Sequence, residues 1–90
     1  MTNENPEFGT IEDYYADSEN CLYEIRLARE IFGSTESTYN DWKGMERALA
    51  FMYLYCPEDL TNIVNAALNE CFSRKLMMIQ QGTFPQEAAT

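Results

Sequence analysis

Histidine is absent from this 90-residue chain. That gap removes Ser-His-Asp and Cys-His catalysis and most zinc-site patterns. No Walker loop, no G-x-G-x-x-G and no EF-hand loop occurs either. Cysteine is scarce and odd in number: Cys21, Cys56 and Cys71, without a C-x-x-C. A small secreted domain stapled by disulfides is expected to carry an even set, so reduced and mostly buried thiols in a cytoplasm are the expectation. Basic residues are missing from the first 25 positions, which hold seven acids. The uncharged apolar run Ala48–Cys56 is far too short to span a bilayer, which needs about 20 apolar residues. The N-terminus is acidic and polar and shows no signal-peptide or lipidation pattern.

What is present points to one small helical domain. Hydrophobic residues make up 46% of the chain and aromatics 13%, enough for a compact core and too rich for a disordered acidic tail. The pivot is Trp42–Cys56, WKGMERALAFMYLYC, which is apolar on every side over its second half. A helix of that kind has to be covered on more than one side.

Taking the chain in order, residues 1–9 read as a flexible arm broken by Pro6 and Gly9, with Phe8 placed to fold back as a hydrophobic staple. Thr10 followed by Asp13 resembles a capping box and opens a first helix over about 11–32. Ile11, Tyr14, Tyr15, Leu22, Ile25 and Phe32 share its apolar stripe, and Gly33 is the expected left-handed stop. After a loop rich in cap-forming residues, Thr38 with Asp41, or Asn40, starts a second helix over 41–56, weakened near its start by Gly44. Pro57 sits at the expected first position of a third helix, 57–81. That helix carries Leu60, Ile63, Val64, Ala67, Leu68, Cys71, Phe72 and Ile79 at regular spacing and ends at Gly82. Phe84 is placed to pack back, and 85–90 form a short tail. The expectation is an all-α, compact three-helix bundle: arm 1–9, one helical domain over 10–84, tail 85–90.

Chemistry is not the expectation. Adjacent acids in Glu12-Asp13 and Glu58-Asp59 diverge by about 100° on a helix and do not converge on a metal ion, so their role is to stabilise helix N-termini. Cys56 at a helix start and Cys71 ahead of Arg74 and Lys75 sit where thiols can be activated, but both also fall on apolar stripes, where they are inert. The chain is therefore read as no enzyme, with no cofactor and no bound metal.

Charge carries the functional reading. Net charge is −9, and residues 1–41 hold ten acids against two bases. On a continuous first helix, Asp13, Asp17 and Glu24 line one flank of the apolar stripe, and Glu12, Glu19 and Glu30 line the other, each row extending roughly 16–27 Å. Tyr23, with Leu27 and Ile31, adds a weaker apolar strip that suits either a partner contact or the rim of the core. Direct nucleic-acid binding is excluded by the sign of the charge, and a protein partner with a basic surface fits it. Small acidic proteins of phages and mobile elements act in this manner against CRISPR and restriction enzymes, and the likeness lies in size, charge and compactness. Seven acids over 25 residues are several-fold sparser than duplex DNA, with one charge per ~1.7 Å, so any mimicry is partial. The competing expectation is a homodimeric adaptor or regulator. It would act through the aromatic second helix, the methionines Met45, Met52, Met77 and Met78, and the tyrosines.

Overall fold

A computed structural model describes residues 9–87; the expected flexible arm up to residue 8, with its Phe8 staple, and the last three residues of the tail fall outside that range. Four helices follow one another: α1 (Ile11–Tyr15), α2 (Ser18–Gly33), α3 (Tyr39–Tyr55) and α4 (Thr61–Gln81), with a single 3-10 turn at Glu58–Leu60. No strand occurs among the described residues. The molecule is an all-α bundle in which α3 packs against each of the other three helices and α2 also packs against α4.

The expected first helix is two helices. Thr10 caps α1, its hydroxyl accepting from the Asp13 amide at 3.1 Å. The chain then leaves helical geometry at Asp17, whose backbone is extended and whose carboxylate accepts from the Asn20 amide at 3.0 Å. Short polar side chains in Asp17-Ser18-Glu19-Asn20 offer the backbone alternatives to the helical ladder, which is why the break falls here. Side chains of α2 reach back to the carbonyls beside the break: Asn20 Nδ2 donates to Tyr14 O at 3.0 Å, and Cys21 Sγ to Tyr15 O at 2.9 Å. The break redirects α1 onto α3, where Tyr15 stacks on Phe51 and Phe51 on Tyr55.

This kink also resets the apolar phase. Cys21, Ile25, Ala28 and Phe32 form the buried face of α2, while Ile11 and Leu22, expected in the core, are about half exposed. Gly33 is a correction as well. It is the last residue of α2 and has a negative φ; the positive-φ glycine is Gly82.

Helix α3 begins at Tyr39, two residues before the expected start, because Thr38 and Asp41 form a full capping box. It buries Trp42, Ala48, Leu49 and Met52. Trp42 lies between Phe32 and Phe84, with ring centroids at 5.1 and 5.3 Å, so Phe84 does pack back onto the core. The Trp42 indole N–H finds no acceptor among the described residues.

The expected third helix starts four residues late. Pro57 has an extended backbone and precedes the 3-10 turn, so α4 begins at Thr61. Helices α3 and α4 run antiparallel: the chain reverses at Cys56–Pro57, Glu46 meets Lys75 at 2.7 Å, and Trp42 meets Phe84 beyond the end of α4. Gly82, at φ 75°, closes α4 in a Schellman arrangement, with Gly82 N–H on Ile79 O and Thr83 N–H on Met78 O. Val64, Ala67 and Cys71 are buried, but Phe72 and Ile79, counted on the same stripe, are more than half exposed. The bundle is a slab, 43 × 35 × 17 Å, which leaves apolar side chains on its surface. No helix among the described residues is long and apolar enough to cross a membrane.

Candidate partner-binding surface

Glu12 and Asp13 lie in the first turn of α1, and Asp17 and Glu19 at the start of α2, so two helix N-termini stand close together in the chain. Each presents unpaired amides and the positive end of a dipole, which carboxylates stabilise by about 0.3–1 kcal/mol apiece. The concentration of acid in this segment therefore has a local structural cause. Asp17 is already engaged as the cap of α2. Glu24, one and a half turns further on, accepts a hydrogen bond from the Tyr14 hydroxyl at 2.9 Å.

The two straight acidic rows expected on one helix do not form, because the break at Ala16–Asp17 destroys the constant 100° step on which they depend. In their place is an acidic corner. Glu12 and Asp13 are exposed on α1; Glu19 is exposed at the start of α2; Asp17 and Glu24 are half-buried between them. Glu30 is exposed near the far end of α2, apart from the corner in sequence. Tyr23 is about half exposed on α2, Leu27 is half-buried, and Ile31 packs against the core, so the expected strip is open only at its Tyr23 end.

Among the described residues no Lys or Arg lies within ion-pair distance of this corner's carboxylates. The ion pairs among the described residues are Arg29–Glu70 and Lys75–Glu46, both made with α4. Each is at least a quarter exposed and worth about 0–1 kcal/mol.

Beside the corner, α1 and α3 enclose an open groove of about 470 Å³ lined by Tyr14, Tyr15, Gly44, Arg47 and Phe51. A side chain at Gly44 would meet nothing within 4 Å, so the bundle itself does not require glycine there. Arg47 brings a cation to the rim of the groove, a feature that counting acids along the first helix passes over. Helical spacing within Gly44, Arg47, Ala48 and Phe51 was the signal for it.

Two tyrosines and two cysteines are held in their neutral forms. Burial, then the hydrogen bond that its hydroxyl donates to the Glu24 carboxylate, pushes the Tyr14 pKa up to about 12, and burial also raises that of Tyr15. Burial raises Cys21 to about 11, and Cys71 also to about 11, where Lys75 opposes the shift without cancelling it. Cys71 is thus not activated by the basic residues that follow it. Cys56 caps the C-terminal end of α3 instead of opening a helix, so the N-terminal dipole proposed for it does not apply. Among the described residues no group of three or more His, Cys, Asp or Glu side chains is placed to hold a metal ion.

No protein-family model matches the chain, and comparison with curated proteins and with solved structures gives no match either.

Proposed function

We propose that this protein is a small non-catalytic inhibitor that binds a protein partner through the acidic corner of α1 and α2, occupying a basic site meant for nucleic acid. An anti-defence role, against a CRISPR or restriction enzyme encountered by a phage or mobile element in the cytoplasm, is the specific form of the reading. Glu12, Asp13 and Glu19 lead the contact, Asp17 and Glu24 contribute charge from half-buried positions, and Glu30 and Tyr23 extend it along α2. The observation that carries the proposal is the exposure of Glu12, Asp13 and Glu19 with no Lys or Arg in ion-pair range among the described residues. A surface kept merely soluble usually mixes signs. Such a field raises the association rate with a basic surface and makes binding sensitive to salt.

The test exploits the difference between charge and structure. Asn caps a helix as well as Asp does, so Asp17→Asn retains the N-cap while removing the charge. A variant combining Glu12→Gln, Asp13→Asn, Asp17→Asn, Glu19→Gln, Glu24→Gln and Glu30→Gln is compared with wild type as bait in a bacterial lysate. Nucleic-acid-binding enzymes retained by wild type at low salt, displaced by added DNA or RNA and lost by the amide variant, are the expected result. Equal retention by both baits would remove the acidic corner from the account.

A second reading, a homodimeric adaptor acting through an apolar surface, is favoured by one observation: Tyr53 and Leu54 remain 58% and 65% exposed on the central helix. The methionines do not form that surface, since Met52 is fully buried, Met45 and Met78 pack against the core, and Met77 alone is half exposed.

A further inference from the structure

Three cavities run end to end along the seam between α2 and α4. The first, about 530 Å³, lies between Leu22, Ile25 and Arg26 of α2 and Ile63 of α4 and reaches Arg29. The second, about 370 Å³, is bounded by Arg29, Phe32, Glu70, Arg74 and Met77. The third, about 450 Å³, shares Phe32, Arg74 and Met77 with the second and ends at Thr83. Shared walls make them one open groove, roughly 18 Å long from Leu22 to Ser34 at 1.5 Å per residue. Ile25 stands level with Ile63, Arg29 with Glu70 and Phe32 with Met77, so the two helices run parallel. The groove is on the side of this pair away from α3. On α4 the single step from Arg74 to Lys75 crosses the buried line: Lys75 meets Glu46 of α3, and Arg74 faces the groove. The molecule is 17 Å thick, about two helix layers at 8–10 Å between axes, and no third layer covers the seam among the described residues.

We propose that this groove receives an amphipathic helix of a partner protein, apolar on the side it buries and acidic on its flanks. Charge complementarity selects that occupant. Three of the chain's four arginines, Arg26, Arg29 and Arg74, line the groove against two acids, Glu30 and Glu70. The groove is therefore locally positive, three bases less two acids, on a chain whose net charge is −9. Arg29 is engaged by Glu70 at 3.2 Å, whereas Arg26 and Arg74 make no ion pair among the described residues. A guanidinium fork matches a carboxylate in two parallel hydrogen bonds. Between the two arginines the floor is apolar, with Ile25, Phe32 and Met77, and a thioether adapts its shape to what lies on it. Spacing selects a helix. Arg26 precedes Arg29 by about 4.5 Å and Arg74 follows Glu70 by about 6 Å, so the free arginines stand on opposite walls about 10 Å apart along the seam. A helix covers that distance in about seven residues, so carboxylates six to eight residues apart, with apolar residues between them, reach both. Such a helix becomes a further neighbour to two packed helices, as in a bundle. Nucleic acid fits less well, because the −9 chain repels a polyanion along its length, while a short helix with two carboxylates meets only the groove. The site is separate from the acidic corner and stands without it.

The experiment pans the full chain against a phage-displayed library of helical peptides about 18 residues long, with a Leu/Ile stripe and flanks randomised among Glu, Gln and Lys. Recovered peptides are expected to carry Glu six to eight residues apart beside the stripe. The leading sequence, synthesised with a fluorescent label, is then titrated by anisotropy. Arg26→Glu with Arg74→Glu is expected to weaken it by about tenfold or more, and wild-type binding is expected to fall with added salt. Arg26→Gln with Arg74→Gln is the second variant should the charge reversal lose helicity by circular dichroism. Recovery of no peptide, or of neutral or basic flanks, overturns the proposal; so does equal binding by a folded double variant. An oligothymidylate that binds wild type and is lost by the same double variant assigns the groove to nucleic acid and also overturns it. The six-site amide variant is expected to bind the peptide at least as well as wild type does. Failure of the acidic corner and failure of this groove are thus separate results.

Discussion

Two glycines that end helices are expected to respond to alanine in opposite directions. Gly33 closes α2 with a negative φ, and a Cβ built there meets nothing within 4 Å. Alanine at such a site removes conformational freedom from the unfolded chain and stabilises by about 0.4–1 kcal/mol. Gly82 closes α4 at φ 75°, where a Cβ also finds open space but the backbone itself is unfavourable for an L-residue, at about 1–2 kcal/mol. Both Schellman hydrogen bonds depend on that conformation, Gly82 N–H to Ile79 O at 3.1 Å and Thr83 N–H to Met78 O at 2.8 Å. In a domain of this size 1 kcal/mol moves Tm by roughly 4–8 °C. Gly33→Ala is therefore expected to raise Tm by about 2–8 °C, and Gly82→Ala to lower it by about 4 °C or more. Thermal melts and urea titrations followed by far-ultraviolet circular dichroism read both, with an unchanged urea slope confirming that the effect is on stability. A destabilised Gly33→Ala protein would refute the reasoning, because it would mean that Gly33 supplies a left-handed stop and α2 ends earlier.

Further outcomes follow from the same contacts. Leu49→Ala, at a fully buried position on the central helix, is expected to cost about 2–5 kcal/mol in urea unfolding, a large share of the stability of so small a domain. Asp17→Ala is expected to cost about 1 kcal/mol through loss of the α2 cap, while Asp17→Asn stays within a few tenths; equal losses would show that charge, not capping, is what Asp17 supplies to the fold. Tyr14, Cys21 and Cys71 all have folded-state pKa values raised above their unfolded values. The stability they contribute is complete below about pH 9 and is lost as pH rises through about 11–12, so urea midpoints should fall over that window, less so in Tyr14→Phe. A thiol reagent at neutral pH should modify Cys56 in the folded protein and reach Cys21 and Cys71 only on unfolding; rapid modification of all three would contradict the burial described.

The helices were legible where local chemistry and apolar period agree. Thr10, Thr38 and Gly82 each announce a helix end by a mechanism confined to a few residues, and all three act as caps. The break at Asp17 was legible in principle, since Asp-Ser-Glu-Asn is a run of cap-forming and first-turn residues. It was overridden by an apolar stripe that counts smoothly across it from Tyr15 to Leu22. Continuing that count placed Ile11 and Leu22 in the core and drew two straight rows of acids. The candidate surface was legible as composition, seven acids and no base in 25 residues, and illegible as geometry.

The amino-acid sequence by itself determined an all-α chain, its caps, the centrality of the Trp42–Cys56 helix and the segregation of acid to one end, because each depends on residues close together in the chain. Tertiary structure alone decided which members of an apolar stripe are covered. Periodicity states that Phe72 and Ile79 lie on the same broad side of α4 as Val64 and Cys71, but a stripe wider than the contact it makes is buried only over the arc its neighbours reach. On α4 that arc is set by where α2 and α3 cross it. The distance to those helices, and not the apolarity of the side chains, leaves Phe72, Leu76 and Ile79 facing outward.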